Sequence, residues 1–397
     1  KRLLNLHKGN FSKDSIVRIW REIFHTSANI QLKENNILNP KRGINSINLY
    51  SGGVSTVTGH DKIIKLSSNE SPFGPSKKAI EAYQNSSHKL SRYPELTADS
   101  LQQEIAKKYN LNANQIISGT GSDEVLILTM LTFCSPGDEV IHAEHGFEMY
   151  PIMTKYAGAV SVCASEIDFK IDTSSVLQKI TESTKLILIA NPNNPTGTYL
   201  KKNELLKLRK KLRSNILLVV DDAYDEYMKK KDYSSGLKLF KKNENVIILR
   251  TFSKIYGLAS LRIGWGYGPK KIIDAMSKIK PPFNTNAVAQ LAASAALDDK
   301  SFIKKSLKHN LFWANKIKKL LNNFDISTNE VTANFLLLNF NKCKYSANYV
   351  KKILEKKGII LRDMNSYKIK NALRLTIGNN SENRLFLKSI NRIFKNV

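Results

Sequence analysis

Between residues 115 and 267 the chain repeats one pattern: a short run of apolar, mostly β-branched residues, a polar loop, then a stretch with helical spacing. The runs predict strands at Gln115 to Ser118, Glu139 to Ala143, Val160 to Ala164, Leu186 to Ala190, Ile216 to Val220, Val246 to Arg250 and Arg262 to Tyr267. Strands that alternate with amphipathic helices build a mainly parallel sheet covered on both faces, an α/β architecture. Ligands of such sheets bind outside the carboxyl ends of the strands, so the loops after these runs are where chemistry is expected. After about Asn286 the helices lengthen, and Asn334 to Asn339 and Ala372 to Ile377 supply two more strand-like runs. A chain of 397 residues exceeds what one core usually holds. The expected division is an N-terminal helical piece over 1–36, an arm over 37–75, a large domain over 76–290 and a smaller α/β domain over 291–397.

Composition narrows the function classes. The formal charge of +28 invites a nucleic-acid reading, yet only 13 of the 62 basic residues are arginine, the lysines are scattered, and no recognition motif groups them. No nucleic-acid partner is expected. Cys134, Cys163 and Cys343 lie far apart and are odd in number, which fits neither a disulfide framework nor a metal site. No apolar stretch reaches membrane length. A cytoplasmic protein without metal is expected. The arginines Arg92, Arg262, Arg362 and Arg374 fall inside motif-like stretches, where a planar fork for phosphate or carboxylate has no substitute in lysine.

Four loops carry candidate chemistry. Ser118-Gly119-Thr120-Gly121-Ser122-Asp123-Glu124 follows a strand and opens a helix over Val125 to Phe133, a place for a phosphate or an ordinary helix cap. Asn191-Pro192-Asn193-Asn194-Pro195-Thr196-Gly197 ends a wholly apolar strand with more turn-formers than a connection needs, and so holds a side-chain amide in place. Leu217 to Val220 delivers Asp221 and Asp222, with Tyr224 and Tyr227 following; a strand-end carboxylate suits a metal, a cap or a cationic cofactor ring. In Arg250-Thr251-Phe252-Ser253-Lys254, a lysine follows a strand among small hydroxyl residues, with Arg262 eight positions on. A lysine that forms a Schiff base must lose its proton, which partial burial and nearby positive charge promote.

Together with Leu66-Ser67-Ser68-Asn69-Glu70-Ser71-Pro72-Phe73-Gly74, Arg92-Tyr93-Pro94-Glu95, Glu144-His145-Gly146-Phe147-Glu148-Met149-Tyr150 and Leu373-Arg374-Leu375-Thr376-Ile377-Gly378, these segments resemble the fold-type I pyridoxal-phosphate aminotransferases, and among them the histidinol-phosphate aminotransferases. The resemblance covers 37–397. It implies a fold-type I transferase in which Lys254 carries pyridoxal 5'-phosphate and shuttles the substrate proton. Asp221 is then the partner of the pyridine nitrogen, Asn194 and Tyr224 bond the phenolic oxygen, and Phe147 stacks on the ring. Gly121, Ser122, Asp123, Thr251, Ser253 and Arg262 form the phosphate cup. Tyr93 reaches the phosphate of the neighbouring subunit, so a homodimer is implied. Arg374, with Asn194, grips the substrate carboxylate, and Arg362 is a second ligand for phosphate or carboxylate. The implied reaction takes L-histidinol phosphate and 2-oxoglutarate to imidazole acetol phosphate and glutamate, in histidine biosynthesis.

Two other functions share this sequence pattern. Aromatic or prephenate aminotransferases carry every motif quoted. Residues 1–36, through Arg2-Leu3-Leu4, Lys8-Gly9-Asn10-Phe11, Ile19-Trp20-Arg21-Glu22-Ile23-Phe24 and Gln31, resemble the last part of a helical chorismate mutase, the enzyme that makes prephenate. Its first long helix is not in the sequence, which starts at Lys1, so no mutase activity is expected of this chain. The other reading is a non-enzymatic regulator that keeps the fold as a sensor, for which no DNA-binding module is in view.

Overall fold

Seven strands form the larger of two main sheets in the computed structural model, which describes residues 9–31, 39–40, 43–50, 52 and 63–395. In chain order the strands are β1 (Ile64–Leu66), β2 (Ile116–Gly119), β3 (Glu139–Ala143), β4 (Val160–Ala164), β5 (Glu166–Ile167), β6 (Lys170–Ile171), β7 (Thr184–Ala190), β8 (Leu217–Asp221), β9 (Val246–Thr251), β10 (Gly264–Tyr267), β11 (Ser327–Thr328), β12 (Phe335–Asn339), β13 (Ile359–Asp363) and β14 (Ala372–Thr376). The large sheet runs β2-β10-β9-β8-β7-β3-β4, with β10 antiparallel to both neighbours and the remaining pairs parallel. Successive side chains of a strand face opposite ways. Leu218 and Val220 therefore enter one core with Ile187 and Ile189, while Leu217 and Val219 enter the other with Leu186 and Leu188. Burial on both faces explains why these strands read as unbroken apolar runs.

Register fixes the site. Gly119, Gly264 and Thr251 lie abreast across β2, β10 and β9. Leu249, Asp221 and Ala190 lie abreast across β9, β8 and β7. The carboxyl ends of β2, β7, β8 and β9 thus meet along one edge, where the loops of the sequence motifs leave the sheet.

The smaller sheet runs β1-β13-β14-β12-β11 around its own core of Leu336, Leu338, Leu361, Leu373, Leu375 and Phe386. Its edge strand β1 pairs in parallel with β13, so residues 64–66 of the expected arm are part of this sheet. Most expected strand limits shift by one or two residues, and the last strand of the large sheet and the helix after β2 start elsewhere than expected. Arg262 takes a left-handed conformation (φ 50°), so the run starts at Gly264 instead of Arg262. The helix after β2 starts at Ser122, one turn before Val125.

The N-terminal helix spans Lys13–Gln31. It rests on the turn before β3 through Arg18 to Asp138 (3.1 Å) and Arg21 to the Gly137 carbonyl (2.5 Å), while Ile19, Trp20, Ile23 and Phe24 are exposed. Arg2, Leu3, Leu4 and Lys8 of the mutase resemblance lie outside the described residues. Among the described residues no helix is long and apolar enough to cross a membrane.

Candidate active site

The turn from β2 into the helix Ser122–Phe133 is drawn tight against β10. A Cβ on Gly264 would lie 2.3 Å from the Ser122 nitrogen, and one on Gly121, at φ +87°, would lie 2.5 Å from Arg262 Nη2. Only glycine lets both backbones come this close. The first N–H groups of a helix have no partner inside it, so the start at Ser122 presents donors. Arg262 closes the cup from the far side: Nη1 donates to Ser253 Oγ (3.3 Å) and to the Ala259 carbonyl (3.0 Å), and Nη2 lies 3.5 Å from Asp123 Oδ2. Thr251 Oγ1 accepts from the Ser253 backbone N–H at 3.0 Å. Hydroxyls, helix-end amides and a guanidinium in one concavity suit a phosphate.

Beside this cup stands Lys254, whose Nζ lies 5.7 Å from the centre of the Tyr224 ring. Opposite it, Asp221 ends β8 and accepts from the Tyr150 hydroxyl (2.8 Å) at Oδ2 and from the Ala223 N–H (3.1 Å) at Oδ1. Burial pushes the Asp221 carboxyl up to about 6, against the opposing pull of the Tyr150 hydrogen bond. A carboxylate held by two neutral donors in such surroundings is costly, and a cationic N–H between it and Lys254 would remove the cost. Lysine, cup and acid together therefore fit pyridoxal phosphate. Phe147 packs edge-on against Tyr150, with ring centres 5.8 Å apart, on the same side of the sheet edge.

The small sheet brings two arginines to the same edge. Arg374 Nη1 donates to Asn194 Oδ1 in a very short contact and Nη2 to the Ser67 carbonyl at 2.8 Å. Its Nε is buried and has no hydrogen-bond partner among the described residues. Arg362 stands directly across from Arg374 in the β13–β14 register and pairs with Glu148 at 2.9 Å. Like charges opposite each other on neighbouring strands destabilise a sheet, so an arginine pair here points to an anion. The Asn191–Gly197 loop is tied down by Asn193 Nδ2, which donates to the His145 carbonyl (3.1 Å) and to Thr196 Oγ1 (2.9 Å).

Of the residues singled out in the sequence, Gly121, Ser122, Asp123, Thr251, Ser253, Lys254, Arg262, Asp221, Tyr224, Asn194, Arg374 and Arg362 gather around this edge. Tyr93 does not join them. It is 83% exposed and stacks on Phe283 with ring centres 4.7 Å apart. Sequence reasoning quoted Asn69, Glu148 and Tyr150 inside motifs without giving them roles, and passed over Tyr50. Burial raises the Tyr50 hydroxyl, against the opposing pull of the Arg362 and Arg374 charges.

The model for aminotransferase class I and II matches residues 61–390. A histidinol-phosphate aminotransferase of Pelagibacter ubique is 53% identical over 349 residues, covering 88% of this chain and 97% of that protein. One from Rhodopseudomonas palustris is 42% identical over 353 residues, with the same two coverages. Among solved structures, the histidinol-phosphate aminotransferase of Sinorhizobium meliloti in complex with pyridoxal-5'-phosphate has a TM-score of 0.80 at 21% identity, covering 92% of this chain and 99% of that one. The two-sheet architecture is thus the one expected of a fold-type I transferase. The chain belongs to the class I and II aminotransferases and, within them, to the family of histidinol-phosphate aminotransferases.

Proposed function

We propose that the protein is a cytoplasmic, pyridoxal-phosphate-dependent transaminase that takes L-histidinol phosphate as amino donor and 2-oxoglutarate as acceptor. The observation that carries the donor is the opposed pair Arg362 and Arg374. Two guanidinium groups side by side suit a phosphate dianion, and the same forks accept the two carboxylates of 2-oxoglutarate in the second half-reaction. The names of the relatives agree with this reading.

Bound pyridoxal phosphate supplies an electron sink for the charge left when the substrate carbon loses its proton. Lys254 holds it and, once free, moves that proton with Nζ. Asp221 keeps the ring nitrogen protonated, its own charge oriented by Tyr150. Asn194 and Tyr224 bond the phenolic oxygen, Phe147 covers the ring face, and Gly121, Ser122, Asp123, Thr251, Ser253 and Arg262 hold the phosphate. Arg374 aligns the donor, with Arg362 completing the grip once Glu148 releases it. This chemistry divides the chain into the large cofactor domain (76–290), the small domain (291–397) and an arm (37–75).

The exposed Tyr93 reaches the phosphate of a second copy, so the active form is a homodimer. Mixing Lys254→Ala with Tyr93→Ala chains under conditions of subunit exchange should restore part of the lost activity, because one site of each heterodimer then carries neither lesion. Donor choice is tested by kcat/KM for histidinol phosphate beside phenylalanine, tyrosine and prephenate. An aromatic pair faster by tenfold, about 1.4 kcal/mol in transition-state binding, would move the enzyme to aromatic amino-acid synthesis. A yellow protein that binds the cofactor but turns over no amino donor would instead be a sensor.

A further inference from the structure

The Tyr224 oxygen accepts a hydrogen bond from Asn69 Nδ2 at 2.8 Å, across 155 positions of sequence. Asn69 is 2% exposed and sits at φ 55°, a left-handed conformation that asparagine tolerates better than most side chains. Its carbonyl accepts from Asn334 Nδ2 at 2.9 Å, which fixes the turn from the small domain. Thr376 settles which end of the Asn69 amide faces the tyrosine. Thr376 Oγ1 accepts the Asn69 backbone N–H at 2.9 Å and lies 3.1 Å from Asn69 Oδ1. A hydroxyl has one hydrogen to give. With the backbone N–H already received, Thr376 gives it to Oδ1, and the amide NH2 is left for Tyr224. The reversed amide would hand the buried Thr376 oxygen a second donor and strand its hydrogen, since among the described residues these are its two hydrogen bonds.

The consequence falls on Tyr224. Its oxygen is occupied by a donor, so its own hydrogen must turn away from Asn69, into the site. Phe335 stands edge-on to the ring with centres 5.3 Å apart, and Lys254 Nζ lies 5.7 Å from the ring centre. Thr376 lies two residues after Arg374 on β14, and side chains two apart share a face of a strand. The strand that grips the substrate anion is therefore the one that sets the direction of the tyrosine hydroxyl.

The geometry points to Asn69, held by Thr376, as a positioning residue that aims the Tyr224 hydroxyl hydrogen at the phenolic oxygen of the cofactor. It rests on the proposed function, because it needs pyridoxal phosphate beside Tyr224. A donated hydrogen bond stabilises that oxygen as an anion and so makes the lysine-bound chromophore more acidic.

The test is a spectrophotometric pH titration of the holoenzyme chromophore. Tyr224→Phe should raise its pKa. Asn69→Gly keeps the left-handed backbone, deletes the amide and should raise it in the same direction by about half to one unit, the size one neutral hydrogen bond supports. Thr376→Val should do the same, and Thr376→Ser should keep the wild-type value. In the Tyr224→Phe background neither Asn69→Gly nor Thr376→Val should add a further shift. A shift that persists without the Tyr224 hydroxyl, or an unchanged pKa in both single variants, overturns the inference. Thr376→Val covers the case in which Asn69→Gly does not fold. Absence of any borohydride-reducible chromophore on Lys254 in the wild-type protein would instead overturn the proposed function.

Discussion

At the proposed phosphate end of the site, Arg262 and Asp123 stand 3.5 Å apart with nearly half of each side chain in solvent; at the proposed ring end, Asp221 is packed against Tyr150 and its carboxyl is pushed up to about 6. The exposed end relies on many modest contacts, among them helix-end amides, two hydroxyls and a screened ion pair. Exposed pairs of this kind contribute about 1 kcal/mol or less each. The enclosed end concentrates its effect in one charge whose environment opposes it until a cation arrives. The cup should therefore govern cofactor affinity and Asp221 the rate, and a variant at each end separates the two.

The largest effect is expected from Asp221→Ala. kcat should fall about a thousandfold, on the order of 4 kcal/mol, while cofactor affinity changes by less than tenfold. Steady-state kinetics beside a cofactor titration measures both. Equal losses in the two would erase the contrast between the ends.

Second comes the stability of the protein stripped of cofactor. The folded Asp221 carboxyl binds its proton more tightly than the unfolded one, whose ordinary value is 3.8, so this group costs stability as pH rises from about 4 to about 6 and the cost is complete above that. Asp221→Asn should stabilise the apoprotein at pH 7 by roughly 3 kcal/mol and leave it unchanged well below pH 4. Denaturant melts at the two pH values decide. A destabilised Asp221→Asn apoprotein at pH 7 would mean that the carboxylate is already well paired.

Third, Arg262→Ala should weaken cofactor binding about tenfold, near 1.4 kcal/mol, with kcat at saturation within threefold of wild type. Smallest is Asp123→Asn, expected to move affinity by threefold at most and to lose that difference at high salt, where exposed charges are screened. A larger change would show that the half-exposed pair is stronger than its surroundings suggest.

The central strands of the large sheet were legible in the sequence because both faces are buried, leaving apolar runs such as Leu217 to Val220 with no polar interruption. Their loops were legible because glycine, proline, asparagine and a lone lysine after β9 break the pattern. What escaped was pairing at a distance. Tyr150 bonds Asp221 across 71 positions, Asn69 bonds Tyr224 across 155, and Glu148 meets Arg362 across 214. Nothing local distinguishes these residues from ordinary polar ones, since their roles exist only once the two sheets face each other. β1 escaped for a related reason: a three-residue edge strand has too few residues to show a period. Arg262 was placed at the start of a strand because apolar residues follow it, whereas its left-handed turn is what swings the guanidinium over Gly121.

The N-terminal helix has an optical consequence. Of the three tryptophans, Trp265 and Trp313 are each 2% exposed, and Trp20, on that helix, is 48% exposed. Emission from the first two reports the large-sheet and small-sheet cores, while Trp20 emits at longer wavelength and is open to quenching by iodide. The helix holds to the body through Arg18 and Arg21, so its detachment costs far less than opening either core. Mild denaturant should thus make the Trp20 emission more quenchable by iodide first, before the emission of Trp265 and Trp313 moves to longer wavelength, giving the helix and the body separate signals in one emission spectrum.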